Sequence, residues 1–422
     1  MLSLYLTDFE KAEIDADTEG AYATGFTNEK VAPLVNLHDN VNVLELWHGP
    51  TCAFKDMALQ LLPYLLTTSA KKVADGKTMV ILVATSGDTG KAALDGFADV
   101  ENTKILVFYP VDGVSPMQKL QMTTQTGSNV AVCAIEGNFD DAQTGVKRIF
   151  ADADMKKYLA ERNMEFSSAN SINISRLLPQ AFYYTYSSLV VKNRIPHDSK
   201  IEDPSIIAVV PSGNFGNLTS GLIAREMGAP IDGFVAATNS NHTIPDWIAT
   251  GKYKARPSVS TLSNAMDVGA PSNYERIKAM YTLDEVRNLF ASYWTDDEGT
   301  LSAIKECNDK TGYVIDPHGA VAWKAWNDMR HGEMQKLVDG NGNKDYNKPG
   351  LTANIPAWAK KVTESKTAAI ILETAHPAKF GATVVKAIGR EPSIPDRLEK
   401  VLSLPDNAIP MEKDWKIRSA SP

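Results

Sequence analysis

The sequence predicts an α/β fold, with two doubly wound open sheets flanking a cleft. Two observations point to it. A short, near-continuous apolar run, a glycine- or proline-marked loop and a helix-like stretch follow one another, and this unit recurs at least four times. The chain also has 422 residues, enough for two or three domains at roughly 100–200 residues each.

The first unit runs from Met79–Ala84 (MVILVA) through TSGDTG into KAALDGFADV. The second runs from Ile105–Tyr109 (ILVFY) through PVDGVSP into MQKLQMTTQ. The third runs from Ser205–Val210 (SIIAVV) through PSGNFGN into LTSGLIAREMG, and the fourth from Ala368–Leu372 (AAIIL) through ETAHP into AKFGATVVKAIG. Apolar runs that do not alternate are strands buried on both faces, and intervening helices make the sheets largely parallel. Such sheets hold ligands beyond the carboxyl ends of their strands, where the unusual residues of this chain fall. The expected partition is an N-terminal segment 1–80 that joins the large domain and carries Lys55, a smaller α/β domain 81–190, and the large domain 191–422. Gly340–Ala353, polar and rich in Gly and Asn, reads as a surface insertion, and Asn239–Ser263 reads as irregular.

Composition narrows the function. Hydrophobic residues make up 43% and charged residues 22%, so the chain has ample material for a core. The formal charge is −8 with no long basic run, which argues against nucleic acid or an anionic membrane as partner. Cys52, Cys133 and Cys307 form no C-x-x-C pair, so neither a zinc site nor a disulfide framework is expected, and the setting reads as reduced and cytoplasmic. The N-terminus turns acidic after six residues, unlike a signal or transit peptide. No apolar run approaches the ~20 residues of a membrane helix. Seven scattered histidines give no metal pattern, and the aromatic residues form no stacking series for single strands. A small-molecule ligand remains.

Five segments could carry chemistry. Ser212-Gly213-Asn214-Phe215-Gly216-Asn217 follows a strand and opens a helix, where backbone N–H groups and the helix dipole converge on an anion such as phosphate. The same pattern also suits an ordinary βα turn. Thr85-Ser86-Gly87-Asp88-Thr89-Gly90-Lys91 is not a nucleotide P-loop, because Thr85 stands where its first glycine belongs and Ala92 replaces its hydroxyl. Thr85, Ser86 and Thr89 could instead bind a carboxylate. Lys55 lies between Phe54 and the apolar stretch Met57–Leu62. It is either a solvated surface charge or a buried amine of lowered pKa, fit to act as nucleophile or base. Thr374 is either a cleft hydroxyl or the cap of a helix beginning near Pro377. Asn170, Ser171 and Arg176 form either a polar helix start or a cluster that reads a phosphate through the guanidinium fork.

Taken together, HGPTCAFKD, ATSGDTG, the NSIN…R stretch, VPSGNFGN and ETAHPAKF, in that order from about Leu46 to Phe380, resemble the threonine synthase family, in its branch of fungal and many bacterial members. The resemblance implies the fold of tryptophan synthase β, called fold type II among pyridoxal-phosphate enzymes, with pyridoxal 5'-phosphate as cofactor in the large domain. It implies that Lys55 links covalently to that cofactor. It likewise implies that Ser212, Gly213, Asn214, Phe215, Gly216 and Asn217 cradle the cofactor phosphate and that Thr374 bonds the pyridine nitrogen. Ser86, Asp88 and Thr89 would face the substrate carboxylate and the cofactor ring, with Thr85 beside them, and Asn170, Ser171 and Arg176 would hold the substrate phosphate.

The implied reaction converts O-phospho-L-homoserine and water to L-threonine and phosphate by γ-elimination and β-addition, with Lys55 as the proton shuttle. A serine/threonine dehydratase or a phospho-lyase of the same fold would share Lys55 and SGNFGN, but a dehydratase needs no phosphate cluster. A non-catalytic pyridoxal-phosphate-binding protein would need no reactive amine. Monomer and homodimer both stay open.

Overall fold

A computed structural model describes residues 1–73, 76–194, 205–331, 349–351, 356–364 and 367–412. Its strands are β1 Leu34–His38, β2 Val41–Glu45, β3 Thr78–Ala84, β4 Thr103–Pro110, β5 Val130–Ile135, β6 Met164–Ser168, β7 Ser205–Pro211, β8 Gly233–Thr238, β9 Phe290–Trp294, β10 Gly350–Leu351, β11 Thr367–Glu373 and β12 Ile409–Met411. They form two sheets. The larger has the order β1-β2-β11-β7-β8-β9-β10, the smaller β12-β5-β4-β3-β6. Pairing is parallel throughout, except for the antiparallel edges β1–β2 and β9–β10.

Apolar continuity explains why these segments become central strands. Along β7, Ile206, Ala208 and Val210 enter one core while Ile207 and Val209 enter another. Along β3, Ile81 and Val83 face one core and Val80, Leu82 and Ala84 face a second. A strand with helices on both faces has no solvent side to make polar, so the period-2 alternation of side chains disappears from the sequence. The helices between strands start on local signals. Ser115 and Gln118 form a reciprocal capping box at Pro116–Thr123, and Asp316 caps Pro317–Arg330, which packs on β7, β8 and β11.

Topology decides where a ligand can sit. In the larger sheet the chain leaves β7 toward β8 and β9 on one side, while β11 occupies the other. In the smaller sheet it leaves β3 toward β4 and β5, while β6 lies opposite. Each is a topological switch point, where the loops after adjacent strands diverge and open a crevice. The two crevices face one cleft, built from the loops after β3, β6, β7 and β11.

Some borders differ from expectation. Leu177, Leu178 and Ala181 already belong to a core of the larger sheet, so the chain returns to that layer before residue 190. The C-terminal β12 pairs with β5 in the smaller sheet, although 191–422 was expected to be large domain throughout. Within Asn239–Ser263 lies the helix Thr243–Thr250, whose Pro245 sits in the first turn, where a missing N–H costs nothing. Of the Gly340–Ala353 stretch, 340–348 and 352–353 lie outside the described residues, and β10 is an edge strand against Tyr293 and Trp294. Among the described residues no helix is long and apolar enough to cross a membrane.

Candidate active site

Every residue singled out from the sequence lines this one cleft: Lys55, Thr85, Ser86, Asp88, Thr89, Asn170, Ser171, Arg176, Ser212, Gly213, Asn214, Phe215, Gly216, Asn217 and Thr374. They do not have equal freedom to act.

Lys55 is a buried amine, not a surface charge. It precedes the short helix Asp56–Leu59, and its loop is stitched to the loop after β11 by Phe54 N–H donating to Thr374 O at 2.8 Å. Asp56 steadies the same loop by accepting from Thr51 N at 2.9 Å and Thr51 Oγ1 at 2.6 Å. The Lys55 side chain is 11% exposed and its Nζ stands 3.8 Å from Asp88 Oδ2. Burial pushes the amine down to about 8, against the opposing pull of Asp88. At neutral pH a usable fraction is therefore unprotonated. Burial also opposes the charge on Asp88, but Lys379 at 2.7 Å, Lys55 and a bond from Gln118 Nε2 at 3.0 Å outweigh it. Its carboxyl is held below the usual carboxylate range.

The loop after β7 has the close approach that a phosphate cradle requires. A side chain at Gly213 would place its Cβ 2.6 Å from the Met266 backbone, and one at Gly216 would lie 3.1 Å from Ser171. Phe215 takes a left-handed conformation, φ 61°, to start the helix Gly216–Glu226. A bulky residue in that region is strained, and the helix it opens begins with N–H groups that have no partner within the helix, at residues on the cleft wall. Asn214 bonds both Ser171 and Ser272, tying the loops after β6 and β7 together. Asn217 Oδ1 accepts from Tyr183 and Tyr184 at 2.7 Å each, while its buried Nδ2 has no partner among the described residues. The Ser212 hydroxyl is engaged by Val210 O.

The loop after β3 divides its labour. Thr85 Oγ1 accepts from Gly87 N at 3.0 Å and Gly90 N at 2.8 Å, closing the N-terminus of helix Asp88–Phe97. That hydroxyl holds the loop's shape. Ser86 and Thr89 are half-buried, with no hydrogen bond from their hydroxyls among the described residues, so they are the free donors. Likewise Asn170 spans the Ala84 backbone, accepting from its N at 3.3 Å and donating to its O at 2.9 Å. Arg176 is different in kind. It is 2% exposed, donates from Nη1 to Ala169 O, and leaves Nε without a partner. Burial lowers its pKa to about 10. No carboxylate pairs with it among the described residues. A buried cation without an anion is costly, and it faces the cleft.

Thr374 is not a helix cap, because His376 accepts from Ala378 N at 3.1 Å and takes that role. The Thr374 hydroxyl lies at the end of β11, 5% exposed and on the cleft wall. Beneath it, Glu373 is fully buried, accepts from Asp316 N at 2.7 Å and is pushed well above the usual range by burial and by Asp316.

Reasoning from the sequence missed three groups. Lys379 is wholly buried behind Asp88. Gln118 anchors Asp88 and meets Asn264 at 2.9 Å. His318 lines the cleft, with Nε2 accepting from Ala265 N at 3.2 Å; its Nδ1–H therefore points at Asp316 Oδ2, 2.9 Å away. No local signal marks them, except that Lys379 and Lys55 both stand among apolar neighbours.

Comparisons with known proteins agree with this geometry. Residues 28–339 match a family described as "Pyridoxal-phosphate dependent enzyme", and 352–420 match "Threonine synthase, C-terminal". The chain is 34% identical over 410 residues to a threonine synthase of Haemophilus influenzae, covering 97% of this chain and 83% of that one. It is similar to the crystal structure of threonine synthase from yeast, with a TM-score of 0.78 and 29% identity, covering 97% of this chain and 84% of that one. It is also similar to a pyridoxal-phosphate-bound threonine synthase from Brucella melitensis, with a TM-score of 0.76 and 31% identity, covering 96% and 82%.

Proposed function

The chain belongs to the threonine synthase family of fold type II pyridoxal-phosphate enzymes, and from that premise we propose that it converts O-phospho-L-homoserine and water to L-threonine and phosphate. One observation carries the choice of substrate. Arg176 is a buried guanidinium with no counter-ion among the described residues, in the same cleft as Lys55. A dehydratase acting on free serine or threonine has no second anion to put there.

The residues fit pyridoxal phosphate. The backbone at Gly213 admits no side chain and that at Gly216 is tight, and the unpartnered Asn217 Nδ2 and the helix N-terminus at Gly216 suit its phosphate. When bound, the cofactor supplies an electron sink for the substrate's Cα. Lys55 would hold it covalently. Once released to the substrate amine, the Lys55 amine would be basic enough to take a proton from Cα and then one from Cβ. Ser86 and Thr89 would orient the substrate carboxylate at the start of helix Asp88–Phe97, with Thr85 shaping that loop. Arg176 and Ser171 would hold the phosphate that leaves Cγ, with Asn170 fixing the strand end beside them. A neutral Thr374 hydroxyl at the pyridine nitrogen would not force protonation there, so geometry has to direct the intermediates toward water addition at Cβ. A cytoplasmic setting, with a small-molecule substrate rather than nucleic acid or membrane as partner, completes the reading.

The test is product analysis with pyridoxal phosphate and O-phospho-L-homoserine. Threonine and phosphate in equal amounts, lost in Lys55→Ala, are expected. A predominance of 2-oxobutanoate would make the chain a phospho-lyase instead.

A further inference from the structure

Lys379 has no task in the mechanism above, yet its side chain is completely removed from solvent. Its ammonium lies 2.7 Å from Asp88 Oδ1 and 3.0 Å from Thr51 O. Gln118 Nε2 reaches the same Oδ1 at 3.0 Å. Lys55 faces the other oxygen, Oδ2, at 3.8 Å. One buried carboxylate is thus shared between two amines, and unequally.

The inequality is informative. A buried carboxylate beside a lone ammonium closes to a charge-assisted bond of about 2.7–2.9 Å. Here that short contact belongs to Lys379, and a separation of 3.8 Å exceeds hydrogen-bond length. Lys379 also joins three segments: Thr51 of the loop before Lys55, Asp88 after β3, and its own loop after β11. It fixes where Asp88 can stand. We propose that Lys379 is a positioning residue that anchors Asp88 away from Lys55, so that the Lys55 amine feels the carboxylate without being locked to it. The inference rests on Lys55 as the reactive amine of the site.

The charged groups acting on Lys55 are Asp88, Arg176, Lys379 and Asp316. Removing the Lys379 charge takes away a neighbouring cation and frees Asp88 to close on Lys55. Both changes favour the protonated amine. Competitive labelling with acetic anhydride across pH, on the full-length chain freed of pyridoxal phosphate, reads this from the Lys55 peptide by mass spectrometry. In the unsubstituted chain the midpoint is expected at about 8. Lys379→Met should raise it by about one pH unit or more. Lys379→Gln, which keeps a donor for Thr51 O, should follow Met, and Lys379→Arg should stay with the parent. Circular dichroism shows which variants fold, and Lys379→Gln carries the test if Lys379→Met does not. An unchanged or lowered Lys55 midpoint in the uncharged variants overturns the proposal, as does an arginine variant that behaves like them. The labelling reads the free Lys55 amine in the cofactor-free chain and does not depend on turnover, so failure of the proposed reaction would show separately, as absent threonine.

Discussion

Arg176→Met separates a structural arginine from one kept for a ligand. Burial lowers the guanidinium from 12.5 to about 10, a penalty on the order of 3 kcal/mol at 1.36 kcal/mol per pH unit. The folded pKa is depressed, so at neutral pH the charged group weakens the fold. Against this, Met would leave Ala169 O without its guanidinium donor, costing about 1–3 kcal/mol. The two effects nearly cancel, and stability in urea should stay within about 1 kcal/mol of the parent or rise. Binding behaves differently. A charge-assisted bond to phosphate contributes about 1.5–3 kcal/mol, so kcat/KM for O-phospho-L-homoserine should fall roughly 10- to 150-fold at 1.4 kcal/mol per decade. Thermal stabilisation by added inorganic phosphate should fall with it. A variant destabilised by several kcal/mol with kcat/KM unchanged would refute the reasoning, because Arg176 would then be part of the scaffold alone.

Two further outcomes follow from the packing. Gly319 lies in helix Pro317–Arg330, where Ala is intrinsically better by about 1 kcal/mol, but a Cβ there would fall 1.8 Å from Glu373 Oε2. The clash should win, so Gly319→Ala lowers the melting temperature and Glu373→Ala in the same chain recovers part of the loss; a stabilised single variant would contradict this. Burial pushes Asp267 up to about 7, above its unfolded value of about 3.9. Its contribution to stability is therefore fully present below about pH 4 and lost as pH rises through about 7. Urea unfolding should show the advantage of the parent over Asp267→Asn shrinking between pH 5 and pH 8, and a flat difference would count against it.

How legible the chain was depended on whether a residue's role is local. β3, β4, β7 and β11 were readable to within two residues, because burial on both faces writes itself as an apolar run. β12 was not, since Pro410 reads as a strand breaker, yet it sits at the sheet edge, where its missing N–H faces away from the ladder. The site loops were legible because glycine, serine and asparagine follow directly on buried apolar runs there, at the strand ends where an open sheet holds its ligand. What each side chain does within them was not. Thr85 and Thr89 look alike in sequence, but Thr85 closes the loop while Thr89 stays free, and only the fold of the loop distinguishes them. Asn170 resembles a ligand donor and instead braces Ala84. Lys379 was missed because a lysine usually reads as a solvated charge, and its partner Asp88 lies in a loop nearly three hundred residues earlier.

Lys55 is the proposed carrier of the cofactor, on which every other role in the site depends. Reduction of the pyridoxal-phosphate-loaded chain with borohydride, followed by digestion and mass spectrometry, locates the modified lysine directly. The pyridoxyl group is expected on Lys55 alone, with Lys379 unmodified although it too is a buried lysine beside Asp88. A label on Lys379, or one spread over surface lysines, would contradict that assignment.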